Sequence, residues 1–279
     1  NDIDLSGRDW TPINNFIGGF NGNGFKISNM KIVIPNNASA LSYYGLFGTN
    51  KGTVHDLKLV GIDISSGVYV GGNTVSVGGI AGNNEGYVYN VEVSGEIDCN
   101  RNMSAAGGIA GYNKGQTIRN CRVHDMYIYG NGNIGGIVGE SVGGTITRCS
   151  TSNLTAELYV VNVNRSLGGI VGKMSSGAVV EYSYNQNTKI KFDDYKGLDS
   201  DQINPFMGKI AGSMSASTIR NVSVSGATLD HGDLPEKYRD WFMNPWHYPR
   251  QYIGSEGNGA CGKKDDSSTI TNTNWSPDA

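Results

Sequence analysis

Side chains able to perform acid–base or metal chemistry gather in one segment, where Asp193 and Asp194 are followed by Asp199 and Asp201. Clustered carboxylates can bind Ca²⁺ or act as the acid and base of glycoside cleavage. The spacing does not match a calcium-binding loop, and three lysines are interleaved with the acids. A solvated loop is therefore the favoured interpretation, and Asp193 and Asp194 remain candidate ligand-binding residues.

A second candidate set is aromatic and consists of Trp10, Trp241, Trp246 and Tyr248. Flat aromatic rings can stack on sugar rings, and they can equally close the open end of an elongated fold. These residues lie near the two ends of the sequence, which favours the closing role. We retain all four as candidate ligand-binding residues.

Histidines and cysteines do not form a recognisable metal-binding pattern. The four histidines are scattered, and the four cysteines (99, 121, 149 and 261) contain no Cys-x-x-Cys pair. We therefore predict no metal and no cofactor. Cys121 and Cys149 are expected to be buried thiols. The sequence does not decide whether Cys99 and Cys261 form a disulfide. Since no nucleophile elbow, phosphate loop or dinucleotide fingerprint is present, no catalytic residue is assigned.

The elements that must position these residues are internal repeats. A block of the form Gly-Gly-Ile-Ala/Val-Gly recurs at intervals of about 30 residues. Variable spacing around a constant block indicates a fixed unit that carries insertions of different length. The copies are Gly78–Gly82, Gly107–Gly111, Gly135–Gly139 and Gly168–Gly172, with looser forms at Tyr44–Gly48 and Gly208–Gly212.

A second segment of each unit aligns in columns, with a mostly polar position before the second apolar column. Asn at such a position tolerates the left-handed conformation of a bend between two strands. The first apolar column contains Val54, Val88, Ile118, Ile146, Val179 and Ile219, and the second contains Leu57, Val91, Cys121, Cys149, Tyr182 and Val222.

These columns predict an all-β fold, a parallel β-helix of about seven coils. One unit cannot bury its own apolar residues, whereas stacked units can. The apolar runs are too short for a helical solenoid, and the units lack the Trp or Gly-His signal of a β-propeller. We predict the β-helix over residues 1–230, with a hairpin-like Asn-Gly turn near Asn23. Residues 231–279 are predicted to form an aromatic cap, with a polar, mobile tail from residue 263.

The composition limits the classes of partner that the protein is expected to bind. The formal net charge is −3, and 17% of the residues are charged, which argues against nucleic acid. No apolar run is long enough for a transmembrane helix. No signal peptide is recognisable either, and the sequence opens directly on Ile3-Asp4-Leu5, which reads as a strand. We therefore expect that an N-terminal region was removed by processing or left out.

The repeat unit resembles the GLUG repeat, which Gly45-Leu46-Phe47-Gly48 matches closely. The opening, from Asp2-Ile3-Asp4-Leu5 to Trp10-Thr11-Pro12-Ile13, resembles the segment that precedes such repeats in bacterial surface proteins. The resemblance covers roughly residues 1–226 and departs from the pattern at Lys209 and in the 183–207 insertion.

This resemblance implies secreted or surface-attached adhesin-like proteins, often from gut-dwelling Gram-negative bacteria. GLUG repeats also accompany an immunoglobulin-A-cleaving metalloprotease family. Its His-Glu-x-x-His zinc motif is absent from this sequence, so the protease activity does not carry over.

The leading functional expectation is an extracellular, non-catalytic binding or adhesion module that contacts a glycan or a host surface protein, with a monomer favoured. The alternatives are a β-helical carbohydrate lyase or hydrolase and a structural spacer. Two or more carboxylates on neighbouring coils in one groove would favour the enzyme, and the aligned segments contain no such pair.

Overall fold

The protein is all-β in the computed structural model, which describes residues 1–35, 42–66, 75–99, 103–159, 165–193, 206–230 and 260–274. Within these ranges every regular element is a strand, and no helix is long and apolar enough to cross a membrane. Many strands interrupted by Gly and Asn agree with the composition.

The first half of the chain contributes thirteen strands. They are β1 (Ile3–Asp4), β2 (Gly19–Asn21), β3 (Lys26–Ser28), β4 (Lys31–Ile34), β5 (Ser42–Tyr44), β6 (Phe47–Asn50), β7 (Thr53–Ser66), β8 (Val75–Gly78), β9 (Ala81–Asn84), β10 (Tyr87–Cys99), β11 (Met103–Gly107), β12 (Ala110–Arg119) and β13 (Arg122–Gly130).

The second half continues the same order of elements. Its strands are β14 (Asn133–Gly135), β15 (Val138–Thr147), β16 (Ser150–Tyr159), β17 (Ser166–Gly168), β18 (Val171–Ser175), β19 (Val179–Gln186), β20 (Lys189–Asp193), β21 (Phe206–Gly208), β22 (Ala211–Met214), β23 (Thr218–Ser225), β24 (Thr228–Asp230), β25 (Cys261–Lys264) and β26 (Thr269–Thr271).

The strands pair in parallel with the equivalent strands of the next repeat. β7 pairs with β10, β10 with β13, β13 with β16 and β16 with β20. A second parallel sheet runs from β5 through β8, β11, β14 and β17 to β21. Each residue therefore lies beside its counterpart one repeat away, at the roughly 4.8 Å spacing of adjacent strands.

The core is built from inward-facing columns, as the sequence predicts. Val54, Val88, Ile118 and Ile146 are in register and fully buried. In the fifth copy the predicted alignment is wrong by one residue. Ile146 is paired with Val180, not with Val179. A slip of one position exchanges the two faces of a strand, so Ser183 is buried and Tyr182 is exposed.

The polar position before the second apolar column forms a bend in the left-handed conformation, as predicted. We call this the bend row, and its φ angles lie between 47° and 55°. A positive φ is cheapest for Gly, Asn and Asp, which explains most of the residues found there. The bend row contains Asp56, Asn90, Asn120, Arg148, Tyr182, Asn221 and Asn272.

The Gly-Gly block joins the smaller sheet to the larger one where two backbones nearly touch. At Gly107 an added Cβ would lie 2.7 Å from the Val138 Cα atom and 2.7 Å from the Ile137 carbonyl oxygen, both in the next repeat. Only glycine permits this approach, which accounts for the conservation of the block from one repeat to the next within this chain.

Both ends differ from the prediction. Asn23 and Gly24 form a tight turn in which the Phe25 N–H donates to the Gly22 carbonyl. The turn does not make a hairpin, because β2 and β3 both pair in parallel with β7. At the other end, strand pairing continues into the segment predicted to be a cap and polar tail, since β25 pairs with β22 and β26 with β23.

All four cysteines are buried free thiols. The prediction for Cys121 and Cys149 is confirmed, and the possible bond between Cys99 and Cys261 is not formed. Cys121 and Cys149 donate weak hydrogen bonds to backbone carbonyls, so they act as small core residues.

Candidate functional site

The predicted ligand-binding residues do not come together within the described part of the chain. Trp10 is partly buried, packs against the core, and donates its indole N–H to the Leu46 carbonyl at 3.0 Å. Asp193 ends β20 beside Tyr159. The other four, Asp194, Trp241, Trp246 and Tyr248, lie outside the described residues.

Two histidines contact carboxylates at the bends. His55 Nδ1 lies 2.8 Å from Asp56. His124 lies between two acids, with Nδ1 2.8 Å from Asp125 and Nε2 2.8 Å from Glu92. In the described ranges no three His, Cys, Asp or Glu side chains are grouped so that they could hold a metal ion.

The bend row is the first bend of each repeat, and a second bend with positive φ lies at Gly61, Gly95, Asp125 and Asn153. The strands that follow this second bend carry an outward-facing set that the sequence analysis missed. We call it the acidic tyrosine patch. Asp63 on β7 pairs in register with Glu96 on β10, and Glu96 pairs with Tyr127 on β13. In the adjoining column Asp98 pairs with Tyr129, and Tyr129 with Glu157. The six residues Asp63, Glu96, Asp98, Tyr127, Tyr129 and Glu157 therefore span four consecutive strands on one face.

The centre of the acidic tyrosine patch is aromatic. The rings of Tyr127 and Tyr129 are nearly parallel, with centroids 6.2 Å apart and an interplanar angle of 8°. The Tyr127 hydroxyl donates to Glu157 Oε2 at 3.3 Å, and Lys191 Nζ contacts Glu157 Oε1 at 3.0 Å. These contacts hold Glu157 in place beside the rings. Its side chain is largely buried.

The acids of the patch repel one another. Burial, followed by the nearby Asp98 and Asp63 carboxylates, raises the pKa of Glu96. Burial and Asp63 likewise raise the pKa of Asp98. Burial, followed by the Glu157 charge, raises the pKa of Tyr127, which stays a neutral donor. The patch therefore favours ligands that bring hydrogen-bond donors or positive charge.

A polar groove of about 560 Å³ runs along the first bend of the early repeats. Its floor is a ladder of side-chain hydrogen bonds. Asn120 Nδ2 donates to Asn90 Oδ1 at 3.2 Å, and Asn90 Nδ2 donates to Asp56 Oδ1 at 2.9 Å. Lys58, Glu92 and Arg122 line its side. The ladder satisfies the hydrogen-bonding groups of the bend side chains, so these residues have a structural function in the groove.

One sequence signal could have identified the acidic tyrosine patch. Glu96-Ile97-Asp98 and Tyr127-Ile128-Tyr129 alternate polar and apolar residues, which is typical of a strand with one exposed face. The aligned columns ended at the residue after the bend row and did not reach the strand that carries this patch. Asp63 and Glu96 are a pair of carboxylates on neighbouring repeats, and both lie beyond the segments that the sequence analysis aligned.

No protein-family model matches the chain, and no curated protein matches it. A solved structure of a putative immunoglobulin A1 protease from Bacteroides ovatus is similar, with 20% sequence identity and a TM-score of 0.46. The match covers 83% of this chain and 74% of that one.

Proposed function

We propose that the protein is a non-catalytic glycan-binding module of a bacterial surface or secreted protein, built as a parallel β-helix of about seven coils related to GLUG repeats. The register of parallel strands one repeat apart supports the β-helix. The repeat blocks and the opening segment support the GLUG relationship, and the extracellular setting rests on that relationship alone.

The acidic tyrosine patch is the observation that carries the binding proposal. Sugars present apolar ring faces and hydroxyl donors, which aromatic rings and carboxylates respectively recognise. Tyr127 and Tyr129 supply the rings, while Asp98 and Glu157 lie one strand away on either side. We assign a neutral glycan to this patch, because a negatively charged ligand would be repelled by its carboxylates.

The test is a screen of neutral oligosaccharides on a glycan array, followed by calorimetry with the best binder. Replacing both tyrosines, Tyr127→Ala and Tyr129→Ala, should weaken binding at least about tenfold, which corresponds to about 1.4 kcal/mol. Tyr87→Ala is the matched control, because Tyr87 is 54% exposed and lies before the first bend. Equal binding by the double variant and the wild type would refute the assignment.

A carbohydrate-cleaving enzyme is the second candidate, and the stacked pair of Asp63 and Glu96 favours it. An acid–base pair works best when the two pKa values are pushed apart. Here burial, followed by the charge of nearby carboxylates that include Asp63, raises the pKa values of both Glu96 and Asp98, and this common direction is why binding is preferred. Release of reducing sugar ends from a bound polysaccharide, abolished by Glu96→Gln, would establish the enzyme instead.

A further inference from the structure

The charged residues that line the polar groove cancel one another. Two are carboxylates, Asp56 and Glu92, and two are cations, Lys58 and Arg122. Glu92 lies 3.7 Å from Lys58 Nζ and 2.8 Å from His124 Nε2, and Arg122 is in register beside it. Because affinity for charged ligands depends on complementary potential, the groove favours neither an anion nor a cation. It suits a neutral, polar ligand.

The amides of the groove keep hydrogen-bonding capacity that the ladder does not use. An Asn side chain offers two N–H donors and an oxygen that accepts twice. Asn120 donates one N–H to Asn90, and its own Oδ1 accepts no hydrogen bond from the described residues. At the opposite end Asn23 is exposed, and its side-chain amide makes no hydrogen bond within the described ranges. The groove therefore has an available amide at each end.

The spacing along the groove distinguishes between polar ligands that contain amides. Asn23, Asp56, Asn90 and Asn120 lie at bends of successive parallel strands. At about 4.8 Å per strand the row is about 14 Å long. An extended peptide repeats about every 3.3 Å, so its amides would fall out of step with this row. A pyranose ring in an oligosaccharide is longer than a peptide residue and closer in length to the strand spacing.

The size and chemistry of the groove fit a short oligosaccharide. Its volume of about 560 Å³ is typical of small-molecule sites. Sugar hydroxyls both donate and accept, and the wall offers donors on Lys58 and Arg122 and an acceptor on Glu92. An acetamido substituent brings one N–H and one carbonyl, which is the complement of a side-chain amide.

We infer that the polar groove binds a short, neutral oligosaccharide that carries N-acetyl groups, and that Asn23 and Asn120 recognise its acetamido groups. A sugar with only hydroxyl groups lacks the paired donor and acceptor, and an amino sugar brings a positive charge that the cancelled charges of the groove do not favour. The groove lies at the first bend and the acidic tyrosine patch beyond the second, so the inference does not depend on the function proposed for that patch.

The experiment compares tetrasaccharides that share one backbone and linkage. Tetra-N-acetylchitotetraose carries acetamido groups, cellotetraose carries hydroxyl groups at the same positions, and fully deacetylated chitotetraose carries amines there. A tetra-alanine peptide blocked at both ends is the fourth probe. In calorimetry the wild type should bind tetra-N-acetylchitotetraose at least tenfold more tightly than each of the other three.

The double variant Asn23→Gly, Asn120→Gly removes both amides. The two residues have φ angles of 51° and 52°, which glycine adopts without strain. The double variant should bind tetra-N-acetylchitotetraose no more tightly than cellotetraose. Asn23→Gly alone removes no ladder bond, so it tests the site with the ladder intact. It should weaken binding of the acetylated probe about fivefold, the value of one neutral hydrogen bond.

Asn221→Gly is the matched control for Asn120→Gly. Asn221 has a φ of 51° and accepts a ladder bond from Asn272 at 2.8 Å, but it lies outside the groove. This variant should bind the acetylated probe like the wild type, and so should the double variant Tyr127→Ala, Tyr129→Ala.

Four results would overturn the inference. They are equal binding of the acetylated probe and any other probe, wild-type binding by the double glycine variant, an equal loss of binding in Asn221→Gly, and loss of the preference in the tyrosine double variant. The last result would place the acetylated sugar at the acidic tyrosine patch, and would leave the function proposed for that patch standing.

Discussion

Asn84 is the central member of a second, fully buried amide ladder, and its replacement by alanine tests how the interior is held. Asn84 Nδ2 donates to Asn113 Oδ1 at 2.8 Å and to the Gly86 carbonyl at 2.8 Å. Its Oδ1 accepts from Asn50 Nδ2 at 2.8 Å. Asn50, Asn84 and Asn113 are all fully buried.

The expected magnitude follows from the groups left without partners. Asn84→Ala removes the hydrogen-bond partner of one donor, on Asn50, and of two acceptors, on Asn113 and Gly86. A buried polar group left unpaired costs roughly 1–3 kcal/mol. Taking the lower value for each of the three groups, the variant should lose about 3 kcal/mol in free energy of unfolding.

Equilibrium unfolding in guanidinium chloride measures this loss, provided that the slope with denaturant is unchanged. Asn83→Ala is a matched control from the same strand. Asn83 is 5% exposed, but among the described residues its Oδ1 has no partner and its Nδ2 donates only to Glu85, at 3.2 Å. Its loss should be below about 1 kcal/mol. Equal losses in the two variants would refute the argument that the ladder bonds stabilise the interior.

Two further predictions concern titratable groups. A carboxyl whose pKa is raised by folding destabilises the fold at pH values where it is ionised, and the penalty disappears as the pH falls and the group is protonated. Because the pKa of Asp98 is raised, Asp98→Asn should stabilise the protein at pH 7 and have little effect at pH 3, measured by thermal melts; a larger gain at pH 3 would contradict the repulsion. All four cysteines are buried, and burial raises the pKa of Cys99 and Cys121. A thiol reagent should therefore modify none of the four in the native protein and all four in denaturant; fewer than four on unfolding would reveal a disulfide.

The repeat and its interior columns were predictable because they depend on local periodicity. Val54, Val88, Ile118 and Ile146 identify one another by their spacing from the Gly-Gly block. The alignment of the fifth copy was wrong because Ala178, Val179 and Val180 are all apolar. Either alignment then buries a valine, and only pairing with Ile146 and Ile219 decides between them.

The proposed binding surface was less predictable, for a different reason. The acidic tyrosine patch depends on which strands lie side by side, and the candidates chosen from composition were instead local clusters such as Asp193 and Asp194. The sequence analysis missed the last repeat because Ala260-Cys261-Gly262 retains only part of the Gly-Gly block. Thr269-Ile270-Thr271-Asn272 nevertheless repeats the pattern of Thr218-Ile219-Arg220-Asn221.

The register change in β10 bears on how such repeats can evolve. Between paired positions β10 has one residue, Ser94, where β7 has Val60 and Gly61 and β13 has His124 and Asp125. Beyond this point all three strands are again in register, so a difference in length is absorbed within a single bend. Insertions and deletions at bends can therefore accumulate without reversing which side chains face the core, whereas the same change within a strand would reverse them. This tolerance lets the outer faces diverge in sequence, and acquire new ligands, while the interior stays constant.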